Sequence, residues 1–369
     1  MAPDRPLLFE PLTLRGLTVR NRAWVPPMCQ YSVETRDGVP NTYHLVHYGS
    51  LAIGGFGLII AEASGVQPVG RITPFDLGLW DDAQVPAWAR IADFVHAHGA
   101  ALGAQLGHAG FKASTNQWWP GVPEGVVPAT LGGWEPVGPQ DDTLTALDGS
   151  TVPVHGLDED GIVQVIADFA DAARRADAAG LDTVEIHGAH GYLLHEFYSP
   201  LTNHRTDRWG GDAEGRSRLI LEVARAVREA FPADKPVLIR LTCSDWHPEG
   251  FAPEDSVELA KRLKQIGVDA IDASSGGLPG ADIKVGPGYQ VPFAEKIRRE
   301  ADLPTVAVGL IDDPAQAEQI LAEGRADAID LGRAALRDTN WPLRAAHELG
   351  LPNDQAPWAP QRFRGAWRH

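Results

Sequence analysis

The stretch 181–211 reads LDTVEIHGAHGYLLHEFYSPLTNHRTDRWGG. Its short apolar and β-branched run, 183–186, predicts a buried strand. His187, His190 and Tyr192 follow at the carboxyl end of that run. A strand end holds side chains stiffly, and the loop beyond it can turn them towards one point. Two imidazoles and a phenol then place two hydrogen-bond donors and one weak acid near a common spot. That set suits polarising a carbonyl and delivering a proton beside it. Two plainer readings compete. His187 and His190 with Glu185 also have the chemistry of a metal site, as in a metal-dependent barrel hydrolase. On a helix the two histidines would share a face, but Gly188 and Gly191 would cost that helix about 1 kcal/mol each. A strand leading into a loop is the better reading.

Working outward, apolar strand-like runs alternate with helical patterns almost to the end of the chain. Runs 12–14 and 17–19, split by Arg15 and Gly16, predict a hairpin that plugs one end of a barrel. Strands are then expected at 23–25, 58–62, 101–106, 183–186, 237–241, 270–273, 305–308 and 328–331. Helices are expected near 44–53, 85–96, 158–179, 214–230, 253–265, 292–300 and 314–323, with one or two more after Gly332. Pro253, Pro292 and Pro314 stand at helix starts, where a missing N–H costs nothing. Eight strands each leading to a helix is the count of a (β/α)8 TIM barrel, an α/β fold. We expect one domain over 1–369. Its longest excursion, 107–156, follows the third strand and is rich in Gly, Pro and Trp. A loop of that length is usually functional or a small subdomain, and here it should rise over the carboxyl-end face. Trp118, Trp119 and Trp134 would either wall that face or pack the excursion on itself.

Composition narrows the class. The 369 residues are 44% hydrophobic, ample for a large core, and carry a formal net charge of −17. So acidic a chain is a poor match for a nucleic-acid backbone or an anionic membrane. Its apolar runs fall far short of the roughly 20 residues that span a bilayer. The opening MAPDRPLLFEP lacks the basic and apolar regions of a signal peptide. Two cysteines, Cys29 and Cys243, make neither a disulfide framework nor a four-ligand cluster. The cytoplasm is the expected location.

The expected strand ends carry the remaining chemistry. The first gives Pro26, Pro27, Met28, Cys29, Gln30 and Tyr31; the second Ala63; the third Gln105 and His108. The fifth gives Arg240, whose guanidinium inside an apolar strand demands a partner. Gly309, and Gly332 with Arg333, follow strands seven and eight, where many such barrels bind phosphate. Glycine lets backbone N–H groups approach the oxygens, and arginine supplies a planar donor fork. From the residues alone, Cys29 reads as a small buried hydrophobe.

With these residues in view, the chain resembles the Old Yellow Enzyme family of ene-reductases, in its short, cysteine-bearing, thermophilic-like class. The resemblance runs nearly end to end, through LFEPLTLRGLTVRNR, PPMCQYS, EASGVQPVGRIT, QLGHAG, the His187 stretch, GYQVPFAEKIR and ADAIDLGRAALRD. It implies FMN at the carboxyl-end mouth, with Pro27, Met28 and Ala63 at the ring and Gln105 at its pyrimidine edge. Arg240 would lie near N1 and the C2 carbonyl, and Gly309, Gly332 and Arg333 would hold the phosphate. It implies an NADPH dehydrogenase or ene-reductase, in which NADPH or NADH gives hydride to the flavin and leaves. An activated alkene conjugated to a carbonyl or nitro group then takes the same face. His187 and His190 would bind its oxygen, Tyr192 would donate the proton, Tyr31 would add a hydrogen bond and Ile72 would line the pocket. Cys29 would tune the flavin potential.

The turn GHAGFKAS departs from the family pattern, which more often has arginine at the position of Phe111. No G-x-G-x-x-G follows an early strand, as fits a nicotinamide that only visits. The resemblance also implies a homodimer or homotetramer. The tail 357–369, with Arg362, Phe363, Arg364, Trp367 and Arg368, would dock on a neighbouring subunit and place Arg364 at its pocket. A flavin-binding redox sensor built on Cys29, without an alkene substrate, is the alternative. Iron–sulfur dienoyl reductases of the broader group are excluded by the cysteine count and the length.

Overall fold

The computed structural model describes residues 5–367. A ring of parallel strands forms its centre: β1 (Ala23–Trp24), β2 (Leu58–Gly65), β3 (Ala101–Gly107), β4 (Thr183–Gly188), β5 (Val237–Thr242), β6 (Ala270–Ser274), β7 (Thr305–Ala307) and β8 (Ala328–Asp330). Neighbours follow chain order from β2 to β8, and β8 pairs with β1. The ring closes through Val25, whose N–H donates to Leu58 O at 2.9 Å and whose carbonyl accepts from Ile60 N at 2.9 Å. The chain is therefore a (β/α)8 barrel.

Ten helices are described: α1 (Thr42–Ile53), α2 (Val85–Ala97), α3 (Glu159–Ala178), α4 (Leu193–Tyr198), α5 (Ala213–Ala230), α6 (Pro253–Ile266), α7 (Val291–Ala301), α8 (Pro314–Ala322), α9 (Gly332–Arg337) and α10 (Trp341–Glu348). Their starts follow side-chain chemistry. Asp158, Asp212 and Asp313 accept backbone N–H groups of α3, α5 and α8, while proline opens α6, α7 and α8. Each such cap stabilises its helix by about 1 kcal/mol. On α5 the buried Leu219, Ile220, Val223, Ala224 and Val227 recur at three- and four-residue steps, which is the stripe a barrel helix presents inward.

The hairpin Leu12–Leu14 and Leu17–Val19 does plug the barrel. Leu14 and Val19 pack with Trp24, Leu58, Ile60, Leu238 and Val306, near the strand starts, so the opposite, carboxyl-end mouth is left for chemistry. The excursion carries a three-stranded sheet of its own, Val137–Gly138, Asp142–Thr145 and Thr151–Gly156. Its tryptophans divide. Trp134 Nε1 donates to Val69 O at 2.8 Å and the ring packs beside the pocket, whereas Trp118 and Trp119 are exposed. Arg368 lies outside the described residues. Among the described residues no helix is long and apolar enough to cross a membrane.

Candidate active site at the carboxyl-end mouth

Strand β4 runs to Gly188, so His187 belongs to the strand and stands in register with Arg240 on β5, which pairs in turn with Asp272 on β6. Beyond it, His190 and Gly191 adopt φ of 62° and 71°. Two consecutive left-handed residues fold the chain back and bring three rings together. The His187 centroid lies 5.3 Å from that of His190 and 4.8 Å from that of Tyr192, both edge to face. The His190 N–H donates to Thr242 Oγ1 at 2.8 Å, which fixes the turn to β5.

Burial, reinforced by Arg240, pushes both imidazoles well below the usual histidine range, so both are neutral. The N–H of Ala189 donates to His187 Nδ1 at 3.3 Å, which assigns the ring proton to Nε2. His190 Nε2 lies 2.6 Å from Ser274 Oγ, leaving Nδ1 as its other ring nitrogen for a ligand. Burial raises the Tyr192 hydroxyl, with Cys29 and Asp76 adding to the effect, so the phenol keeps its proton. Tyr31, at φ 54°, is raised in the same way by burial and by Cys29. The Cys29 thiol is itself pushed up by desolvation and by the carboxyls of Asp76 and Glu62, and stays a thiol. Tyr31, Ala63, Ile72 and Tyr192 form one apolar cluster against Cys29 and Phe75.

The residues expected at the cofactor also converge. Pro27 and Met28 are half-buried at the end of β1. A β-bulge at Glu62 shifts the register of β2, so that Ala63 faces Gln105 across the ladder. Gln105 Nε2 donates to Glu185 Oε1 at 2.8 Å. A cavity of about 190 Å³ is lined by Arg240, Gln290, Gly309, Gly332 and Arg333. Gly309 has φ of 124°, which side chains rarely adopt, and a Cβ there would press on Gln290 and Tyr289 at 3.2 Å, so the position favours glycine. Arg240 forms an ion pair with Asp272 at 2.9 Å, yet its buried Nε has no well-aligned hydrogen bond. A guanidinium with donor capacity to spare at one end and an open glycine cradle at the other fit an anionic, ring-bearing cofactor.

Glu185 does not join the histidines as a ligand set. It faces Gln105 and shares the Arg240 environment with Asp272, and burial lifts its carboxyl to about 8. Among the described residues no group of three His, Cys, Asp or Glu side chains is arranged to hold a metal. Arg364 is exposed and lines a groove with Arg344, Trp358 and Trp367, apart from its own chain's pocket.

Sequence reasoning missed Lys112. Its ammonium donates to His190 O at 2.7 Å and Gly277 O at 2.8 Å, and lies 5.3 Å from the Tyr192 ring centre. The signal was present in GHAGFKAS, one residue past the Phe111 that drew notice. Phe111 itself lies under the excursion, where a Cβ on Gly138 would strike its ring, and its N–H donates to Glu196 Oε1 at 2.8 Å. His108 is scaffolding, bonded to Gln67 at 3.1 Å.

A parallel barrel with this open glycine cradle, this guanidinium and this cluster of donors and acid at its mouth fits the class of FMN-dependent oxidoreductases. The family model described as NADH:flavin oxidoreductase / NADH oxidase matches residues 7–352, and the chain belongs to that family, the Old Yellow Enzymes. It is 45% identical over 362 residues to an "NADPH dehydrogenase" of Geobacillus thermodenitrificans, covering 98% of this chain and 99% of that one. An old yellow enzyme homologue from Zymomonas mobilis superposes with a TM-score of 0.74 at 27% identity, covering 99% of this chain and all of the other. A 2-naphthoyl-CoA reductase superposes with a TM-score of 0.79 at 25% identity; 95% of this chain is covered, but it spans only 53% of that longer one. FMN is thus the cofactor, and a reduced nicotinamide the hydride donor.

Proposed function

We propose that the chain reduces activated C=C bonds of α,β-unsaturated carbonyl or nitro compounds, alternating nicotinamide and alkene on one face of the flavin. When bound, FMN would supply the hydride, with NADPH or NADH as its source. The observation that carries this reading is the convergence of two neutral imidazoles and one protonated phenol in a single buried turn. His187 Nε2–H and His190 Nδ1–H bind the substrate oxygen and stabilise the enolate-like charge that grows there. Tyr192 then gives its proton to the α carbon. Tyr31 adds a hydrogen bond, and Ile72 limits the space for the alkene. Pro27, Met28, Ala63 and Gln105 would border the flavin ring, Arg240 would offset negative charge at its pyrimidine edge, and Gly309, Gly332 and Arg333 would hold the phosphate.

Cys29, held as a thiol, tunes the flavin and does not attack the substrate. The same raised thiol argues against a redox sensor, which needs a ready thiolate. A free thiol at the site suits the reducing cytoplasm. The working unit is a dimer, or a pair of dimers, in which Arg364 of one copy reaches the pocket of the next near Tyr31.

The test begins with purified protein, which should carry FMN in about one-to-one ratio and pass hydride from NADPH to an enone such as 2-cyclohexenone. 4-Hydroxybenzaldehyde should give a long-wavelength absorbance band that disappears when His187 and His190 are both changed to Ala. A flavoprotein that NADPH reduces but no enone reoxidises would overturn the reading. So would a band that survives the double change.

A further inference from the structure

Beneath the catalytic turn, His195 on α4 and Asp245 beyond β5 sit with no exposure to solvent. The reaction described above does not use them. His195 Nε2 lies 2.9 Å from Asp245 Oδ1, and His195 Nδ1 accepts the N–H of Gly191 at 2.7 Å. A backbone N–H can only donate, so Nδ1 is bare, Nε2 carries the proton, and that proton points at the carboxylate. Asp245 Oδ2 accepts from Ser199 Oγ at 2.7 Å and from Phe251 N at 3.1 Å, so the carboxylate is held from both sides.

The far end of this chain of bonds is the turn itself. Gly191 lies between His190 and Tyr192, and a Cβ on it would come within 2.6 Å of Gly277 O. Left-handed residues in succession persist only where their surroundings over-determine them. Thr242 grips the His190 N–H and Lys112 the His190 carbonyl. His195 grips the N–H of the same peptide whose carbonyl Lys112 holds, so the His190–Gly191 unit just before Tyr192 is fixed at both ends.

We propose that Asp245 and His195 are a positioning pair that fixes, through the Gly191 N–H, the turn aiming His190 and Tyr192 at the substrate. The role in catalysis rests on the alkene-reductase reading; the bonding pattern does not. Asp245 sets the imidazole tautomer, the tautomer sets the acceptor at Nδ1, and the acceptor sets the peptide. Asn at 245 cannot reproduce this. With its oxygen towards His195, its NH2 meets the Phe251 N–H. Turned round, it drives the ring proton to Nδ1, against Gly191.

Two substitutions separate positioning from bulk stability. In His195→Asn the amide oxygen takes the place of Nδ1 and keeps the Gly191 bond; in His195→Leu that bond is lost. Both strip Asp245 of its imidazole and should lower Tm, His195→Leu the further because it also leaves the buried Gly191 N–H unpaired. We expect His195→Leu, with FMN bound, to weaken 4-hydroxybenzaldehyde binding and enone kcat about tenfold, and His195→Asn to stay within about threefold of the parent, as the loss or retention of one hydrogen bond requires. Equal losses in the two variants would reduce the pair to a structural role, and wild-type behaviour in both would remove it. The unmodified protein supplies an independent check: ¹⁵N shifts should place the His195 proton on Nε2, and a proton on Nδ1 overturns the proposal whether or not the variants fold. A wild-type protein with neither phenol band nor enone turnover would instead sink the alkene-reductase reading, leaving the tautomer measurement to judge the pair.

Discussion

Tyr192 holds its proton because burial, with the Asp76 carboxyl adding to it, penalises a phenolate. A phenol in that state can donate to carbon only as negative charge grows on its target. Its edge-to-face contact with His187, the imidazole we propose binds the substrate oxygen, would place it beside that charge. Tyr192→Phe removes the proton and keeps the ring packing. Enone reduction should therefore slow by about 10²–10⁴-fold, the usual contribution of a positioned acid, while reduction of the flavin by NADPH is nearly untouched. Stopped-flow measurement of the two half-reactions checks this, and equal slowing of both would make Tyr192 a binding residue. At this scale the sequence was readable where chemistry lay close in the chain. His187, His190 and Tyr192 share one strand end, so period and glycine spacing exposed them. Lys112 stood one residue past a visible departure from the family pattern, whereas His195 and Asp245 act through a backbone atom and across a separation of 50 residues, and residue type alone carried no signal for them.

At the scale of single elements, β2 shows what a one-residue irregularity does. The bulge makes Glu62 the extra residue of the strand and turns it sideways. There its carboxyl accepts the Gln30 N–H at 2.6 Å and the Tyr48 hydroxyl at 2.9 Å, bracing the loop that carries Cys29 and Tyr31. Burial lifts this carboxyl from 4.5 to about 8. The folded state therefore keeps a proton that the unfolded chain releases. The stability tied to that proton is complete below about 4.5 and is lost as pH rises through about 8. Glu62→Gln mimics the protonated form and titrates nowhere, so melts between about pH 5 and about pH 9 should show a shallower alkaline fall in Tm than the parent. An unchanged slope would mean that Glu62 is ionised in the fold. Neither the bulge nor α4 was legible beforehand. A bulge leaves the apolar run unbroken, and a helix of six residues, marginal on its own, exists because all six of its side chains are buried. Long barrel strands and helices were legible because their periods repeat and their ends carry Asp, Pro or Gly.

Across the whole molecule the tail is the feature least like its surroundings, an arginine–aromatic segment on an acidic protein. It is not loose. Pro360–Gly365 form a 3-10 turn, Arg362 donates to Asn340 Oδ1 at 2.9 Å, and the Trp367 ring stacks on His347 with centroids 5.1 Å apart. Asn353 Nδ2 donates to Trp367 O at 2.7 Å and closes the far side. The tail is thus presented in a fixed shape, yet Phe363 remains 48% exposed and Trp367 38%. Large aromatics held rigidly at a surface, with arginines between them, have the composition of an interface centre. Truncation after Pro360 removes these groups and leaves the barrel, its core and the FMN cradle in place. The shortened protein should retain FMN, shift towards monomer in sedimentation velocity, and show a raised enone KM with a smaller change in kcat. Arg364→Ala in the full chain separates the two effects, since it should raise KM while the proposed dimer persists. Unchanged KM in both variants would leave Arg364 outside the partner's pocket, and unchanged sedimentation of the truncated chain would place the subunit interface elsewhere on the barrel.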